Sequence, residues 1–329
     1  MLLAQFLRLS AHLQLLPLLE SGEETLIGGQ AVMEGVMMRA PHSYCVAVRK
    51  ANGEMVTEQQ PVHRMSEKYP IFKLPILRGL GTLGQAMMLG VKALRFSANA
   101  ALSETDETSS PGSKPMEISS GMMAVQIVLM LGVFLLVFKW LPLTLATRIG
   151  RSVPSLSSRL STNLLDGGIR AVILLTYLGL LSRLKDIRRV FQYHGAEHKV
   201  VFNYESGKPV TIENAQAFTT FHPRCGTNFL AVVIGISFLF YPLLPIDGFW
   251  PRLAIRIALL PLVAGVSYEV IRFAAKHPGT LLAVISKPGL WLQRITTKQP
   301  DDSQAAVAIH ALHGAMALEE KQGGELIIA

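Results

Sequence analysis

Two short stretches carry the densest run of residues able to bind a metal or move a proton. Tyr193-His194-Gly195-Ala196-Glu197-His198-Lys199 has the order H-x-x-E-H, and Phe221-His222-Pro223-Arg224-Cys225-Gly226 offers H-x-x-C. Histidines four apart on a helix share one face, so His194 and His198 can hold one cation together. Glu197 can activate a water or orient a ligand, and the same order marks the inverted zinc-peptidase motif. About two dozen residues separate the two pairs, the logic of zinc sites built from two half-sites. The expected ligands are therefore His194, His198, His222 and Cys225, the catalytic carboxylate is Glu197, and the cofactor is a divalent metal ion, zinc foremost. Three protein ligands with an open position mean catalysis; four mean a structural clip. The plainer alternative is a set of histidines that contact phosphate head groups without any metal.

Two further carboxylates are candidates. Glu34, among glycines and near Arg39, can approach the metal or simply form a salt bridge. Glu269 lies near the end of an apolar segment, where an ionisable group is often functional, but Arg272 offers it an ordinary ion pair. Lone Cys45 suits a small core position in a strand. Gly195 lowers helix propensity and favours a helix start or kink within the H-x-x-E-H run.

The elements that must position these residues are set by composition. Half of the 329 residues are hydrophobic and only 16% are charged, with a mean hydropathy of +0.36. That places much of the chain in lipid. The net charge of +8 then belongs to basic residues flanking membrane spans, and nucleic acid is not an expected partner. Four segments are expected to cross: Met122–Leu143, Ile169–Leu184, Phe229–Pro245 and Leu253–Phe273. Arg183, Lys185, Arg188, Arg189, Lys199, Lys208 and Arg224 crowd the loop between the second and third spans. That loop, the N-terminal region and the tail are therefore placed in the cytoplasm. A helix running straight from Arg183 would carry His194 roughly 16 Å from the membrane, at about 1.5 Å per residue. For the two pairs to meet, residues 185–193 are expected to bend along the interface.

The fold class expected is a mainly α membrane protein: about four transmembrane helices, an N-terminal α+β region with a β-hairpin, and amphipathic C-terminal helices. The division is an amphipathic leader (1–25), an N-terminal cytoplasmic or interfacial region (26–102), a linker (103–121), the four-span domain (122–273) with its metal-site loop (185–228), and a helical tail (274–329). Tyr44–Gln60 alternates polar and apolar residues around Asn52-Gly53, a hairpin signature. The glycine-rich stretch before it reads as extended backbone. Residues 75–102 have helical spacing punctuated by Gly79, Gly81, Gly84 and Gly90, which admit a close neighbour, so this stretch reads as interfacial or re-entrant. In the tail, Leu290, Trp291, Leu292 and Ile295 make an interfacial apolar face, and Asp302 or Ser303 caps a helix over 304–318 that could bind a protein partner or pack over the loop.

Four long motifs, GGQAVMEGVMMRAP, YHGAEHKVVFNYE, HPRCGTNFL and PGLWLQRITTKQPDDSQAAVAI, together resemble the YqhQ-like bacterial membrane proteins over roughly residues 26–310. The resemblance implies a multi-pass protein of the bacterial cytoplasmic membrane, in a family of unknown function described as predicted metal-dependent enzymes. It points to a metal at His194, Glu197, His198, His222 and Cys225 and names no substrate. In the tail, Gln304-Ala305-Ala306-Val307 stands where the family pattern is more acidic, which argues against a catalytic role there. The function expected is a metal-dependent hydrolase, working at the cytoplasmic membrane face on a lipid-linked or membrane-tethered substrate, with membrane lipids as partners. The alternative from another class is a membrane scaffold stapled by structural zinc. Transport of a small solute is a third, with few buried charges to support it.

Overall fold

The computed structural model describes residues 27–106, 120–277 and 280–321. The expected leader, the middle of the linker and the Gly323-Gly324 end lie outside them.

Residues 28–61 form four antiparallel strands in the order β1 (Gly28–Val32), β2 (Gly35–Arg39), β3 (Ser43–Arg49) and β4 (Met55–Pro61). The glycine-rich segment read as extended backbone is thus itself a hairpin. Glu34, at φ +52°, turns it. The hairpin expected around Asn52-Gly53 is present with a longer loop. Arg49 pairs with Met55, Gly53 donates its N–H to Lys50 O at 3.0 Å and sits at φ +89°. That is a five-residue connection, 50–54, containing a glycine in the left-handed region.

The strand period of two divides the apolar residues between two cores. Val36, Met38, Cys45 and Ala47 face one side, Met37, Tyr44, Val46 and Val48 the other. The second side is covered by α1 (Leu77–Asp106) through Leu89, Ala93 and Ala100. The first is covered by α10 (Asp302–Lys321) and the middle of α5 (Lys185–Glu205). On α10 the buried face is Ala305, Ala308, Ala311, Leu312 and Ala315. Small side chains are good helix formers and let the sheet come close. Cys45 is a buried core residue, as its strand position implies, and its thiol is pushed up to about 11 by burial. The cap of α10 falls one residue early: Asp301 Oδ1 accepts from Gln304 N at 2.9 Å.

A clamp ties this tail helix to the sheet. His42 Nδ1 lies 2.9 Å from Glu319 Oε1 and Nε2 lies 2.8 Å from Glu67 Oε1. Burial opposes the charged ring, but hydrogen bonds and charge from both carboxylates outweigh it and raise the His42 pKa. The folded pKa exceeds the unfolded value of about 6.5. The stabilisation is therefore complete below about pH 6.5 and is lost as pH rises through the higher folded value. The gap in Tm between wild type and His42→Gln should be widest near about pH 6 and shrink steadily towards about pH 9. A pH-independent gap in thermal melts would refute the ionic clamp.

The rest is helical. Continuous helix runs from α2 (Ser120–Leu135) through a π turn (Leu136–Trp140) into α3 (Leu141–Ser152), followed by α4 (Arg159–Leu181) and α6 (Gly226–Phe240). α7 (Phe249–Ala258), α8 (Leu260–Lys276) and α9 (Leu281–Thr296) complete the order. Among the described residues, Val128–Ser152, Arg159–Leu181 and Gly226–Leu243 are long and apolar enough to cross a membrane, and α7 with α8 makes a fourth if the bent pair is one span. The 49° bend falls at Pro261, which cannot bond the carbonyl of Ile257 and whose ring crowds it.

Several expected boundaries move. The first apolar helix continues past Leu143 to Ser152, so Arg148 and Arg151 are helical rather than connecting. The second starts at Arg159, capped by Ser158 Oγ, ten residues before Ile169. Its first half was obscured by Asp166 and Arg170, which look like the polar end of a span but are 1% and 4% exposed inside the bundle. The linker expected at 103–121 is helical at both ends, to Asp106 and from Ser120. Of residues 75–102, those from Leu77 on belong to a 30-residue helix packed on the sheet, and at its start Gly79 lies against the Tyr268 ring.

Candidate metal centre

The H-x-x-E-H run lies in the middle of α5, with no start or kink at Gly195. The chain turns instead at Ser182–Leu184, between α4 and α5, and 185–193 is unbroken helix. Gly195 has a tertiary reason. A Cβ there would lie 2.0 Å from the carbonyl oxygen of Lys298, and Lys298 N donates to Phe191 O at 2.8 Å. The tail segment after α9 therefore passes directly over the histidine-bearing turn.

The other half-site returns to α5 through buried polar ties. Lys199 Nζ donates to Gln216 O and Phe218 O, both at 2.7 Å. It is 2% exposed and staples the loop to α5. Gln293 on α9 accepts from His222 N at 2.8 Å and donates to His222 O at 2.7 Å. This holds Cys225 at the N-cap of α6, where Sγ accepts from Thr227 N at 3.4 Å.

The ligand atoms of His194, His198 and Cys225 all lie within 4.8 Å of one another. His194 Nε2 is 3.1 Å from Cys225 Sγ. Each imidazole is oriented by its other nitrogen. His194 Nδ1 lies 2.9 Å from Thr296 O and His198 Nδ1 lies 2.5 Å from Thr220 O. A carbonyl only accepts, so Nδ1 carries the proton in both rings and Nε2 presents a lone pair. His198 Nε2 is buried with no hydrogen-bond partner. Burial lowers the His198 pKa against the opposing pull of Cys225, which favours the neutral ring that metals bind. Soft sulfur with two imidazoles is a zinc-type donor set.

His222 stands beside this group. Its ring centroid is 5.5 Å from that of His198, its Nε2 is buried without a hydrogen bond, and Glu205 Oε2 is 3.6 Å away. Glu197 is 6% exposed, with Oε2 3.4 Å from His198 Nε2. Burial raises its pKa, against His194, His222, the Gly29 N–H and Arg224, which favour the carboxylate. Gly29 has no room for a side chain: a Cβ would lie 2.7 Å from Glu197 Cγ. The first strand therefore forms one wall of the centre.

The two additional carboxylates lie elsewhere. Glu34 is bound by Arg189 through both oxygens at 2.5 Å, with Tyr193 Oη 3.3 Å away. Its partner is Arg189, not Arg39. Glu269 accepts from Arg78 Nε at 2.7 Å and from Ile76 N at 3.2 Å, so it anchors the start of α1. Sequence reasoning missed Thr220 and Thr296, whose contributions are backbone carbonyls carrying no side-chain signal, and Gln293 and Lys199, whose roles depend on distant carbonyls.

The family described as "Protein of unknown function (DUF1385)" matches residues 74–318. The chain is also 36% identical over 301 residues to "Uncharacterized protein YqhQ" of Bacillus subtilis (strain 168), covering 89% of this chain and 92% of that protein. No solved structure matches it. With most of its length matched on both counts, the chain belongs to the DUF1385 family of proteins of unknown function.

Proposed function

We propose that this chain is a multi-pass protein of the bacterial cytoplasmic membrane carrying a metal-dependent hydrolytic centre at its cytoplasmic face. The observation that carries the reading is the convergence of two Nε2 lone pairs, each fixed by a carbonyl behind it, on the thiol of Cys225. His194, His198 and Cys225 would hold a divalent ion, zinc by the nature of the donors. Such an ion, when bound, polarises a carbonyl or phosphoryl group and acidifies water. Glu197, dry and anchored by the Gly29 N–H, is placed to take a proton from the attacking water and return it to the leaving group. His194 is only partly buried, which leaves one side of the centre open. Cys225 caps the apolar α6, so a lipid-linked or membrane-tethered substrate suits a centre at that level.

The second reading is a scaffold with structural zinc. It is favoured by His222, whose buried, unpartnered Nε2 could close a fourth position. Glu197→Gln separates the two. Under the hydrolase reading the variant keeps its zinc and its Tm but fails to restore growth to a strain lacking the gene under conditions where that loss is limiting. Restored growth would favour the scaffold.

A further inference from the structure

We propose that the helical bundle holds a second binding site, for a phosphate-bearing anion, at the end away from the His/Cys cluster. Cys225 caps one end of the 15-residue α6 and Tyr241 follows the other, a separation of roughly 22 Å at about 1.5 Å per residue. Around Tyr241 the interior is charged. Lys139, Asp166, Arg170 and Arg256 are each no more than 4% exposed. Arg170 NH2 donates to Asp166 Oδ2 at 2.8 Å, and Arg256 NH1 is 2.9 Å from the same oxygen. Lys139 Nζ, Arg170 Cζ and Arg256 Cζ lie 5.4, 5.7 and 5.2 Å from the Tyr241 ring centroid.

Positive charge is in excess. Arginine does not deprotonate in proteins, so two guanidinium groups face a single carboxylate before Lys139 is counted. An aromatic ring offsets only part of what a buried cation loses in hydration. Arg170 Nε, Asp166 Oδ1 and Ser237 Oγ are buried without hydrogen-bond partners. Charges of this kind among apolar helices are costly and mark a ligand or an ion path.

An open cleft of about 370 Å³, lined by Arg151, Arg252, Thr147, Ser157 and Thr162, lies between α3, α4 and α7. Arg252 also walls a hollow of about 10 Å³, room for about one water, whose other walls include Asn163, Tyr241 and Arg256. Arg252 therefore stands between the cleft, where a phosphate has room, and the buried charges. Guanidinium forks match the paired oxygens of a phosphate, and the cleft is far larger than a halide needs. The shared chemistry is a phosphate group, carried by a lipid head group or free in solution.

The test uses the full chain. Inorganic phosphate is titrated into detergent-solubilised protein against sodium chloride of equal ionic strength. In parallel, phosphatidylglycerol retained from nanodiscs is counted by native mass spectrometry against phosphatidylcholine discs. Saturable binding of inorganic phosphate or retention of about one phosphatidylglycerol is expected, and which arm responds identifies the source. Arg151→Gln/Arg252→Gln should weaken that binding about tenfold or more with zinc content unchanged, and Arg252→Lys, which keeps the charge without the fork, should fall between. The lipid arm rests on the membrane placement proposed above, while the phosphate titration does not. Equal responses to chloride and phosphate, or binding unchanged in both variants, would overturn the site.

Discussion

Protein carrying both His194→Ala and His198→Ala should emerge from purification with essentially no zinc, where the wild type carries about one equivalent. The effect is large because the two substitutions remove two of three donors and leave a lone thiol, which cannot hold zinc against dialysis. Elemental analysis beside protein concentration is sufficient. A chelator should lower the Tm of the wild type and leave the double variant unmoved, since only the former has a ligand whose removal costs stability. Thr220 and Thr296 act through carbonyls, so substituting their side chains should leave zinc in place. Equal zinc in wild type and double variant would remove the metal centre altogether.

Gly195→Ala should be a strongly damaging single methyl addition. The added Cβ would meet the Lys298 carbonyl oxygen at 2.0 Å. Backbone, unlike the end of a flexible side chain, cannot swing aside. The segment over α5 must lift, breaking the Lys298 N to Phe191 O bond and shifting Thr296, whose carbonyl orients His194. A loss of about 2–4 kcal/mol is expected, a fall in Tm of roughly 3–6 °C, together with weaker zinc retention. Gly168→Ala is the control: nothing lies within 4 Å of its Cβ position, and alanine is the better helix former. If both variants melt with the wild type, the close approach at Gly195 is wrong.

The same two glycines show why parts of this protein were readable and others were not. Helix propensity treats Gly195 and Gly168 alike, as weak points. Only the arrival of residue 298 from a hundred positions away distinguishes them. Charges posed a similar difficulty. Lys139, Asp166, Arg170 and Arg256 look like the polar ends of spans, because in sequence a charge near an apolar run is most economically placed in water. They face one another across three helices, so the view that the bundle has few buried charges does not hold. Glu34 and Glu269 were visible as unusual acids, but their partners Arg189 and Arg78 lie 155 and 191 residues away.

What the chain determines locally is substantial. Four-residue histidine spacing puts His194 and His198 on one helix face whatever surrounds them, because 3.6 residues make a turn. Alternation with Asn52-Gly53 makes a hairpin, and long apolar runs make helices able to cross a bilayer, because backbone groups must be satisfied within each element. Tertiary structure decided the rest. It selected Cys225 beside the histidine pair, with His222 to one side, and gave each ring of the pair a carbonyl that accepts its Nδ1 proton. It also packed the first strand against Glu197. Those outcomes depend on atoms distant in sequence coming within a few ångströms, and packing and desolvation, unlike periodicity, have no signature until the chain is folded.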